Sequence, residues 1–363
     1  MRIRAVPYEV PYRRPIQTAH GELLTRKGYW VLAEDDSGHV GLGEVAPLPA
    51  WGTETFEAAG AALSALSFDL ASVETQDPQA WLGAAGLSRE STPATAAGVE
   101  LACLDLLARR RGLSLASLLA QKPSGTGVPL ERVPLNALLT SREPDELVAE
   151  ARRRLAEGYK TLKLKVGVGA IARDVSRVRA LREAVGPDVG LRADANAAWD
   201  RDDAVKAIRQ LRPFDLQYLE QPVASANDLA FLRDRACIPI AADESAQDPV
   251  AVRRLLAEHA VDWLILKPMA LGGLVYTAQL AREAQRAGIG LTLTSVLDRG
   301  IGTAGALHLA AALGVETACG LSNTHMAAEH FVGHLPEQGE LTVAGPGHAV
   351  LLAPFTFDDR GRR

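Results

Sequence analysis

Residues 161–166 read Thr161-Leu-Lys-Leu-Lys-Val166, a run in which leucine and lysine alternate. Side chains alternate between the two faces of a β-strand, so Lys163 and Lys165 share one face and the leucines share the other. If the leucines pack against helices, both ammonium groups point into the interior of a barrel. An exposed edge strand with a lysine-rich surface is the alternative, since edge strands often carry lysine.

Similar apolar runs recur on both sides of this strand, about every 25 residues, and each is followed by a stretch of helical periodicity. Besides residues 161–166, the runs are Pro134-Leu-Asn-Ala-Leu-Leu139, Val189-Gly-Leu-Arg-Ala-Asp194, Leu216-Gln-Tyr-Leu-Glu220, Ile238-Pro-Ile-Ala-Ala-Asp243, Trp263-Leu-Ile-Leu-Lys267 and Ile289-Gly-Leu-Thr-Leu-Thr294. A weaker eighth run is Thr317-Ala-Cys-Gly-Leu321. The repeat predicts an α/β fold and is typical of a barrel, although an open doubly wound sheet would also alternate strand and helix.

Polar residues lie at or near the carboxyl ends of these predicted strands. They are Lys163, Lys165, Asp194, Glu220, Asp243 and Lys267. In a barrel these ends converge on one mouth, whereas an open sheet would spread five of them over roughly 20 Å. The polar residues therefore favour a barrel and predict a single site.

Three of the six are carboxylates with no soft ligand beside them: Asp194, Glu220 and Asp243. Oxygen ligands suit a hard divalent cation such as Mg²⁺, which leaves coordination positions for water and substrate. We therefore predict that these residues bind Mg²⁺. Each could instead cap the helix after its strand, because Asp is common at such junctions.

Lys267 ends the sixth run, on the side of the predicted site opposite Lys165. A desolvated lysine beside another cation loses proton affinity and can act as a base near neutral pH. A bound cation also stabilises the charge that a carboxylate takes up when the neighbouring carbon loses its proton. The pattern indicates an enzyme that removes a proton next to a carboxylate.

The N-terminal third has a different pattern. The first 60 residues alternate apolar and polar residues between turn signals, which predicts an antiparallel sheet. Residues 53–120 are rich in Ala and Leu at helical spacing, and one helix is expected to open at Thr92-Pro93. Strands followed by helices indicate an α+β unit, and the Pro-, Gly- and Ser-rich segment 121–129 predicts the main domain boundary.

Composition disfavours several classes of partner. The 363 residues carry 39 Lys and Arg against 44 Asp and Glu, a net charge of −5 that gives no attraction for nucleic acid or an anionic membrane. The three cysteines are far apart and form no CxxC pair, as expected for reduced thiols. With no apolar targeting segment after Met1 and no long apolar run, we expect a cytoplasmic protein. Its expected partner is a small-molecule carboxylate, and a homo-oligomer is compatible with the sequence.

Two glycine-rich motifs suggest other interpretations. Gly167–Ala172 matches GxGxxA and would indicate a dinucleotide-binding turn, although two lysines are unusual in the central parallel strand that such a fold requires. The GxGxxG of Gly300–Gly305 could be a helix N-terminus that receives a substrate carboxylate, or a tightly packed barrel loop. His20, in a predicted loop, could reach the substrate or stay solvated. GxSxG, P-loop and HExxH motifs are absent from the sequence.

Five motifs in order resemble the enolase superfamily, specifically its muconate-lactonizing subgroup, across nearly the whole chain. They are Lys163-x-Lys165, Asp194-Ala-Asn196, Glu220-Gln-Pro222, Asp243-Glu-Ser245 and Leu266-Lys-Pro268. The resemblance implies a (β/α)7β modified TIM barrel over residues 128–323. It also implies an α+β capping domain over residues 1–127, to which the tail 324–363 returns, with active-site loops near residues 15–22 and 47–53.

The resemblance also implies a role for each site residue. Mg²⁺, with Mn²⁺ as an acceptable substitute, is held by the three carboxylates. Lys165 is the base on one face of the substrate and Lys267 acts from the opposite face, while Lys163 tunes Lys165 or contacts the substrate carboxylate. The candidate substrate contacts are Asn196, Ser295, Asp298, Gly300, Ser322 and His20.

Three further segments are most similar to the o-succinylbenzoate synthase family: Gly43–Pro49, Thr294–Asp298 with Gly302, and Ala318–Leu321. That resemblance implies a lyase of menaquinone biosynthesis, which dehydrates 2-succinyl-6-hydroxy-2,4-cyclohexadiene-1-carboxylate with syn geometry through an enolate. Arg299 and Ser322-Asn-Thr324 differ from that family's pattern. An N-acylamino acid racemase or dipeptide epimerase is an alternative with the same catalytic residues. A non-catalytic barrel is another, but it would not need both lysines.

Overall fold

An antiparallel sheet and four helices make up the N-terminal part of the structure, a computed structural model that describes residues 2–18, 21–66, 78–121, 127–322 and 336–350. The strands, in spatial order, are β1 (Arg2–Thr18), β2 (Gly21–Glu34) and β3 (Val40–Val45). The helices are α1 (Phe56–Ser64), α2 (Pro78–Ala84), α3 (Pro93–Arg110) and α4 (Leu115–Ala120). Strands are followed by helices, as the sequence pattern indicates.

Helix α3 connects this sheet to the rest of the molecule and is buried along almost its whole length. It begins at Pro93 as predicted, since proline fits the first turn of a helix. The carboxylate of Glu54 accepts hydrogen bonds from its first backbone amides at 3.0 and 2.7 Å. Strand β3 lies so close that a Cβ on Gly43 would come within 2.0 Å of the Gly98 carbonyl oxygen. Only glycine fits at position 43.

The seven main apolar runs all contribute strands to one parallel sheet. After β4 (Arg132–Pro134), its strands are β5 (Asn136–Leu139), β6 (Thr161–Lys165), β7 (Gly190–Asp194), β8 (Leu216–Glu220), β9 (Ile240–Ala242), β10 (Trp263–Leu266) and β11 (Gly290–Leu293). They lie side by side in chain order, so the fold is α/β with a seven-stranded parallel sheet.

A helix follows each strand of this sheet. The helices are α5 (Pro144–Ala156), α6 (Ile171–Val185), α7 (Arg201–Leu211), α8 (Ala226–Arg233), α9 (Pro249–Ala257), α10 (Leu274–Arg286) and α11 (Gly300–Ala312). Their apolar faces and the outward side chains of the strands form the main core. Among the described residues, no helix is both long and apolar enough to cross a lipid bilayer.

The weak eighth run contacts both edges of the sheet. Parallel bridges join Cys319 to Leu135 beside β5, and Gly320 to Thr294 beside β11. The Cys319 carbonyl accepts from Asn136 N at 3.0 Å, and Gly320 N donates to the Leu293 carbonyl at 2.9 Å. Cys319 and Gly320 therefore connect β5 to β11 by backbone pairing, although each forms only an isolated bridge.

Residues 336–350 contact both parts of the chain. Strand β12 (Glu340–Thr342) pairs antiparallel with β4. Further on, Gly347 N donates to the Leu113 carbonyl at 2.9 Å, and His348 N donates to the Asp105 carboxylate at 2.8 Å. The domain limits at residues 127 and 323 stay predictions, and the rest of the predicted tail lies outside the described residues.

Candidate active site

The alternation along β6 directs its lysines into the site. Leu162 and Leu164 are fully buried, while Lys163 and Lys165 line a cavity of about 860 Å³. Strand β6 lies between β5 and β7, so the edge-strand interpretation is wrong. A cavity of this size is typical of a small-molecule site.

Parallel register brings the predicted catalytic residues to one level. Lys165 is paired with Asp194 on the next strand, and Asp194 is paired with Glu220 on the strand after that. Asp243 and Lys267 directly follow β9 and β10. All five line the same cavity, so the structure brings them together as the strand-end pattern predicts.

Two lysines form ion pairs with the three carboxylates. Lys163 Nζ lies 3.0 Å from Asp194 Oδ2 and donates to Glu220 Oε1 at 2.6 Å. Lys267 Nζ donates to Asp243 Oδ1. The carboxylate residues are at most 5% exposed. Charges buried this deeply require paired partners, which the two ammonium groups supply.

The pKa values of this cluster are shifted in opposite directions. Burial raises the pKa of Glu220 to about 8, and the charge of Asp194 adds to the effect. Burial also opposes ionisation of Asp194, but Lys163 and Lys165 lower its pKa below the ordinary value. Burial lowers the pKa of Lys163, yet Asp194 and Glu220 outweigh this and hold it well above the ordinary value. Buried negative charge at this point therefore favours a cation.

The donor set fits a hard divalent cation. Asp194, Glu220 and Asp243 offer only oxygen, the ligand that Mg²⁺ prefers. Oε2 of Glu220 is buried and has no hydrogen-bond partner, so this oxygen is available to bind a cation. No three acidic, His or Cys side chains within the described ranges form a preassembled metal cluster. Instead the ammonium group of Lys163 supplies positive charge between Asp194 and Glu220.

The carboxylates do not cap the helices that follow their strands. Asp200 caps α7 and Asp248 caps α9 through side-chain hydrogen bonds. Helix α8 begins after Ser225. Asp243 precedes a short 3-10 turn, residues 244–246, and makes no side-chain capping bond to it. The capping interpretation is therefore wrong.

The residues after the carboxylates orient them. Asn196 has a left-handed backbone with φ 44°; its backbone N donates to Asp194 Oδ1 and its Nδ2 donates to Glu244 Oε1, both at 3.0 Å. Gln221, with φ 37°, accepts a hydrogen bond from the backbone N of Asp243 at 2.9 Å. Asn196 thus orients the Asp194 carboxylate and Gln221 holds the backbone at Asp243, which gives these motif residues a physical role.

The N-terminal part supplies one wall of the cavity. Lys267 Nζ lies 3.4 Å from the ring centroid of Trp51, which belongs to the loop expected over residues 47–53. An ammonium group over an indole face is attracted by the ring electrons. Pro15 and Ile16, from the loop expected over residues 15–22, also line the cavity.

The candidate substrate contacts fall into three groups. Asn196, Ser295 and Ser322 line the cavity, and contact with substrate stays a prediction for them. Asp298 and Gly300 do not line it. His20 lies outside the described residues.

The N-terminus of α11 is occupied by an internal carboxylate. Glu44 accepts hydrogen bonds from the backbone N of Arg299 and of Gly302, both at 2.8 Å. The expectation that this helix start, at Gly300, receives a substrate carboxylate is therefore wrong, because Glu44 already takes those amides. Asp298 is likewise buried, with 1% of its surface exposed. Its carboxylate accepts a hydrogen bond from the backbone N of Val296 in the same loop.

Arg299, which differs from the family pattern, is directed away from the cavity. Its guanidinium carbon lies 5.1 Å from the Tyr8 ring centroid and 4.7 Å from that of Trp30. The residue is 4% exposed. Arg299 thus packs the N-terminal sheet against the start of α11 and does not line the cavity.

Several cavity residues were missed by the reasoning from sequence. Tyr218 lines the cavity two residues before Glu220, and burial raises its pKa to about 12. Strand alternation could have found it, because residues two apart share a face. Arg13 and Arg14 lie at a register shift in β1, which no sequence periodicity reveals.

The fold and site define an α/β enzyme class with paired lysines and a carboxylate cluster at the carboxyl end of a parallel sheet. The family described as Enolase C-terminal domain-like matches residues 146–353, and the family described as MenC, N-terminal domain matches residues 2–106. The chain belongs to the enolase superfamily.

Relatives in this family carry different activities. The o-succinylbenzoate synthase of Thermobifida fusca is 40% identical over 202 residues, 54% of this chain and 61% of that protein. The o-succinylbenzoate synthase of Mycolicibacterium smegmatis is 41% identical, covering 66% and 74% of the two chains. The L-Ala-D/L-Glu epimerase of Bacillus subtilis is 30% identical over 86% of this chain and 84% of that protein.

The fold also matches a solved structure over almost its full length. The muconate lactonizing enzyme of Pseudomonas fluorescens, complexed with muconolactone, has a TM-score of 0.86 and 26% identity, covering 97% of this chain and 96% of that one. This chain thus spans about three fifths of the Thermobifida fusca synthase but nearly all of the muconate lactonizing fold. The comparisons show the superfamily, whereas the reaction has to be inferred from the residues of the site.

Proposed function

We propose that this protein is an o-succinylbenzoate synthase, a hydro-lyase that converts 2-succinyl-6-hydroxy-2,4-cyclohexadiene-1-carboxylate to o-succinylbenzoate with Mg²⁺ as cofactor. The observation that carries the proposal is one cavity lined by Lys165 and Lys267, with three carboxylates on the strands between them. The MenC N-terminal match and the two synthases near 40% identity support it. We further propose a (β/α)7β barrel for the parallel sheet and a capping role for the N-terminal part.

The metal has one task in this proposal. When bound by Asp194, Glu220 and Asp243, Mg²⁺ supplies positive charge for the substrate carboxylate oxygens, where charge accumulates as the neighbouring carbon loses its proton.

Lys165 performs both proton transfers. Lys163 and Lys267 are held by carboxylates, whereas Lys165 forms no ion pair with any described residue, so its amine is available to substrate. It removes the proton next to the carboxylate and then, as its conjugate acid, donates that proton to the departing hydroxyl group. Water leaves from the same face, which accounts for syn geometry.

Lys267 stabilises the enolate from the other side. Its ammonium group is fixed between Asp243 and the face of Trp51. A preorganised cation lowers the energy of a charged intermediate without reorganisation during the reaction. Lys163 holds Asp194 and Glu220 in place.

Racemisation of N-acylamino acids or epimerisation of dipeptides is the second candidate. The epimerase relative aligned over 86% of this chain supports it, because two opposed lysines suit proton exchange on both faces. A free dipeptide also needs an acidic group for its ammonium. At the eighth run, where we expect such a group, the cavity residues Gly320 and Ser322 and their neighbour Leu321 provide none.

An absorbance assay tests the proposal. Purified protein with Mg²⁺ is given the cyclohexadiene substrate, and exchange of the α-proton of N-succinylamino acids in D₂O is followed in parallel. We expect dehydration in the wild type and in Lys160→Ala, an exposed lysine just before β6. Activity should fall at least 10³-fold, of the order expected for loss of a proton-transfer group, in Lys165→Ala, and strongly in Lys267→Ala. Exchange without dehydration would replace the proposal by a racemase.

A further inference from the structure

The charged residues that line the cavity form two sets. The first set is the lysines and carboxylates at the strand ends. The second set contains six arginines and three carboxylates, Glu150, Asp174 and Glu244. The arginines are Arg13, Arg14, Arg142, Arg154, Arg173 and Arg177. The second set therefore has an excess of positive charge.

Three of these arginines have partners within the protein. The ion pairs are Arg154 with Glu157 at 2.9 Å, Arg173 with Glu143 at 2.6 Å and Arg177 with Asp174 at 3.1 Å. Glu150 is also engaged, because its carboxylate accepts from the backbone N of Thr140 and Ser141 at 3.0 and 2.9 Å. Glu244 accepts from Asn196 Nδ2 at 3.0 Å. Each of the three carboxylates therefore has a partner other than the remaining arginines.

Arg13, Arg14 and Arg142 have no such partner. They are exposed and form no ion pair with any described residue. Arg13 and Arg14 come from β1, and Arg142 follows β5, so two separate elements direct uncompensated positive charge at one cavity. Arginine offers a planar fork of donors that matches a carboxylate.

Large apolar side chains also line the cavity. Leu138 is 42% exposed and Val168 is 69% exposed, which is unusual for large hydrophobic side chains, and both line the cavity together with Ile16. Contact with the apolar part of a ligand would remove this surface from water. The cavity thus suits a short hydrocarbon chain that ends in an anion.

We propose that Arg13, Arg14 and Arg142 form a subsite for a second carboxylate of the substrate, remote from the reacting carbon. This inference rests on the proposed function, in which the first carboxylate binds beside the lysines. The same positive charge repels a substrate with a free ammonium group at that end, so it selects dicarboxylates over dipeptides.

Two ligands that differ only at the distal group test the subsite. 2-Succinylbenzoate carries the second carboxylate, and 2-butanoylbenzoate has a methyl group in its place. Dissociation constants are measured by calorimetry at low ionic strength, with Mg²⁺ present. We expect the wild type to prefer 2-succinylbenzoate about tenfold or more. The Arg13→Ala/Arg14→Ala/Arg142→Ala variant should lose that preference and bind 2-butanoylbenzoate as before.

Two controls separate charge recognition from a structural effect. Arg173→Ala removes a cavity arginine that already has a partner and should keep the preference. The corresponding triple lysine variant keeps the charge and should retain most of it. Equal weakening of both ligands in the triple alanine variant, or a wild type that binds neither ligand or shows no preference, would overturn the subsite.

The turnover assay separates this inference from the proposed reaction. An arginine-dependent preference for the dicarboxylate without dehydration would refute the synthase and leave the subsite. Dehydration without that preference would leave the synthase and refute the subsite.

Discussion

Single residues at the strand ends balance one another's charge, and Lys163 is the centre of that balance. It contacts Asp194 at 3.0 Å and Glu220 at 2.6 Å. Removal of one partner of a buried ion pair leaves uncompensated charge, which costs about 3 kcal/mol. We expect Lys163→Met to lower the free energy of unfolding by about this amount without Mg²⁺, measured by urea denaturation, and added Mg²⁺ to restore part of it. An equal loss in the exposed control Lys160→Met would contradict this origin.

The strand-end residues could be predicted from sequence because each occupies a defined place in a repeat. A polar residue at a strand end falls at the same edge of a parallel sheet whatever its detailed contacts. The role of Gly300 could not be predicted, since a helix N-terminus binds any carboxylate within reach. That carboxylate is Glu44, 258 positions before the second amide that it binds. Distant contacts of this kind have no periodicity.

At the scale of elements, the segment between β11 and α11 fastens the two parts of the chain together. Arg26 on β2 donates to the Leu297 carbonyl at 3.0 Å, to the Pro47 carbonyl at 2.7 Å and to the Ala46 carbonyl. Leu297 lines the cavity, and Pro47 begins the loop that carries Trp51. The buried guanidinium of Arg26 thus fixes the position of Leu297 relative to the loop that carries Trp51, and both form walls of the cavity.

Asp298, in the same segment, makes the stability of the protein depend on pH. Burial raises its pKa to about 7, with the charge of Glu44 adding to the effect and Arg26 opposing it. Between about pH 4, the ordinary range of an aspartate, and pH 7, the folded protein holds a proton here that the unfolded chain has lost. This contribution to stability is therefore complete below about pH 4 and is lost as the pH rises to about 7, by about 1.4 kcal/mol per pH unit.

The variant Asp298→Asn should lack that slope, because its side chain does not titrate. Urea unfolding at several pH values on both sides of the pKa gives the free energy of each protein. We expect the stability of the wild type relative to the variant to fall as the pH rises to about 7 and to level off above it. A difference that does not change with pH would show that Asp298 ionises normally in the folded protein.

At the scale of the whole molecule, the parallel sheet and the N-terminal part differ in how far the sequence determines them. Seven strands were found at the predicted runs, because hydrophobic periodicity is local. The closing contacts at Cys319 and Gly320 span only two residues, too few for a periodic signal. The contact of Arg26 with Leu297 joins positions 271 apart. The shape of the cavity therefore depends on long-range packing, which the sequence pattern does not reveal. Its catalytic residues lie at strand ends, which the pattern does reveal.

Cation binding should stabilise the molecule as a whole, because the three carboxylates meet only when β7, β8 and β9 are folded side by side. A ligand that binds only the folded state stabilises it by about 2.7 kcal/mol at 100 times its dissociation constant. We expect MgCl₂ to raise the melting temperature by several degrees at constant ionic strength, measured by circular dichroism. Asp194→Asn should abolish the increase, whereas Asp188→Asn, exposed before the other end of β7, should retain it. The same increase in both variants would place the cation elsewhere, and no increase in the wild type would mean that Lys163 and Lys267 satisfy the carboxylates without a metal.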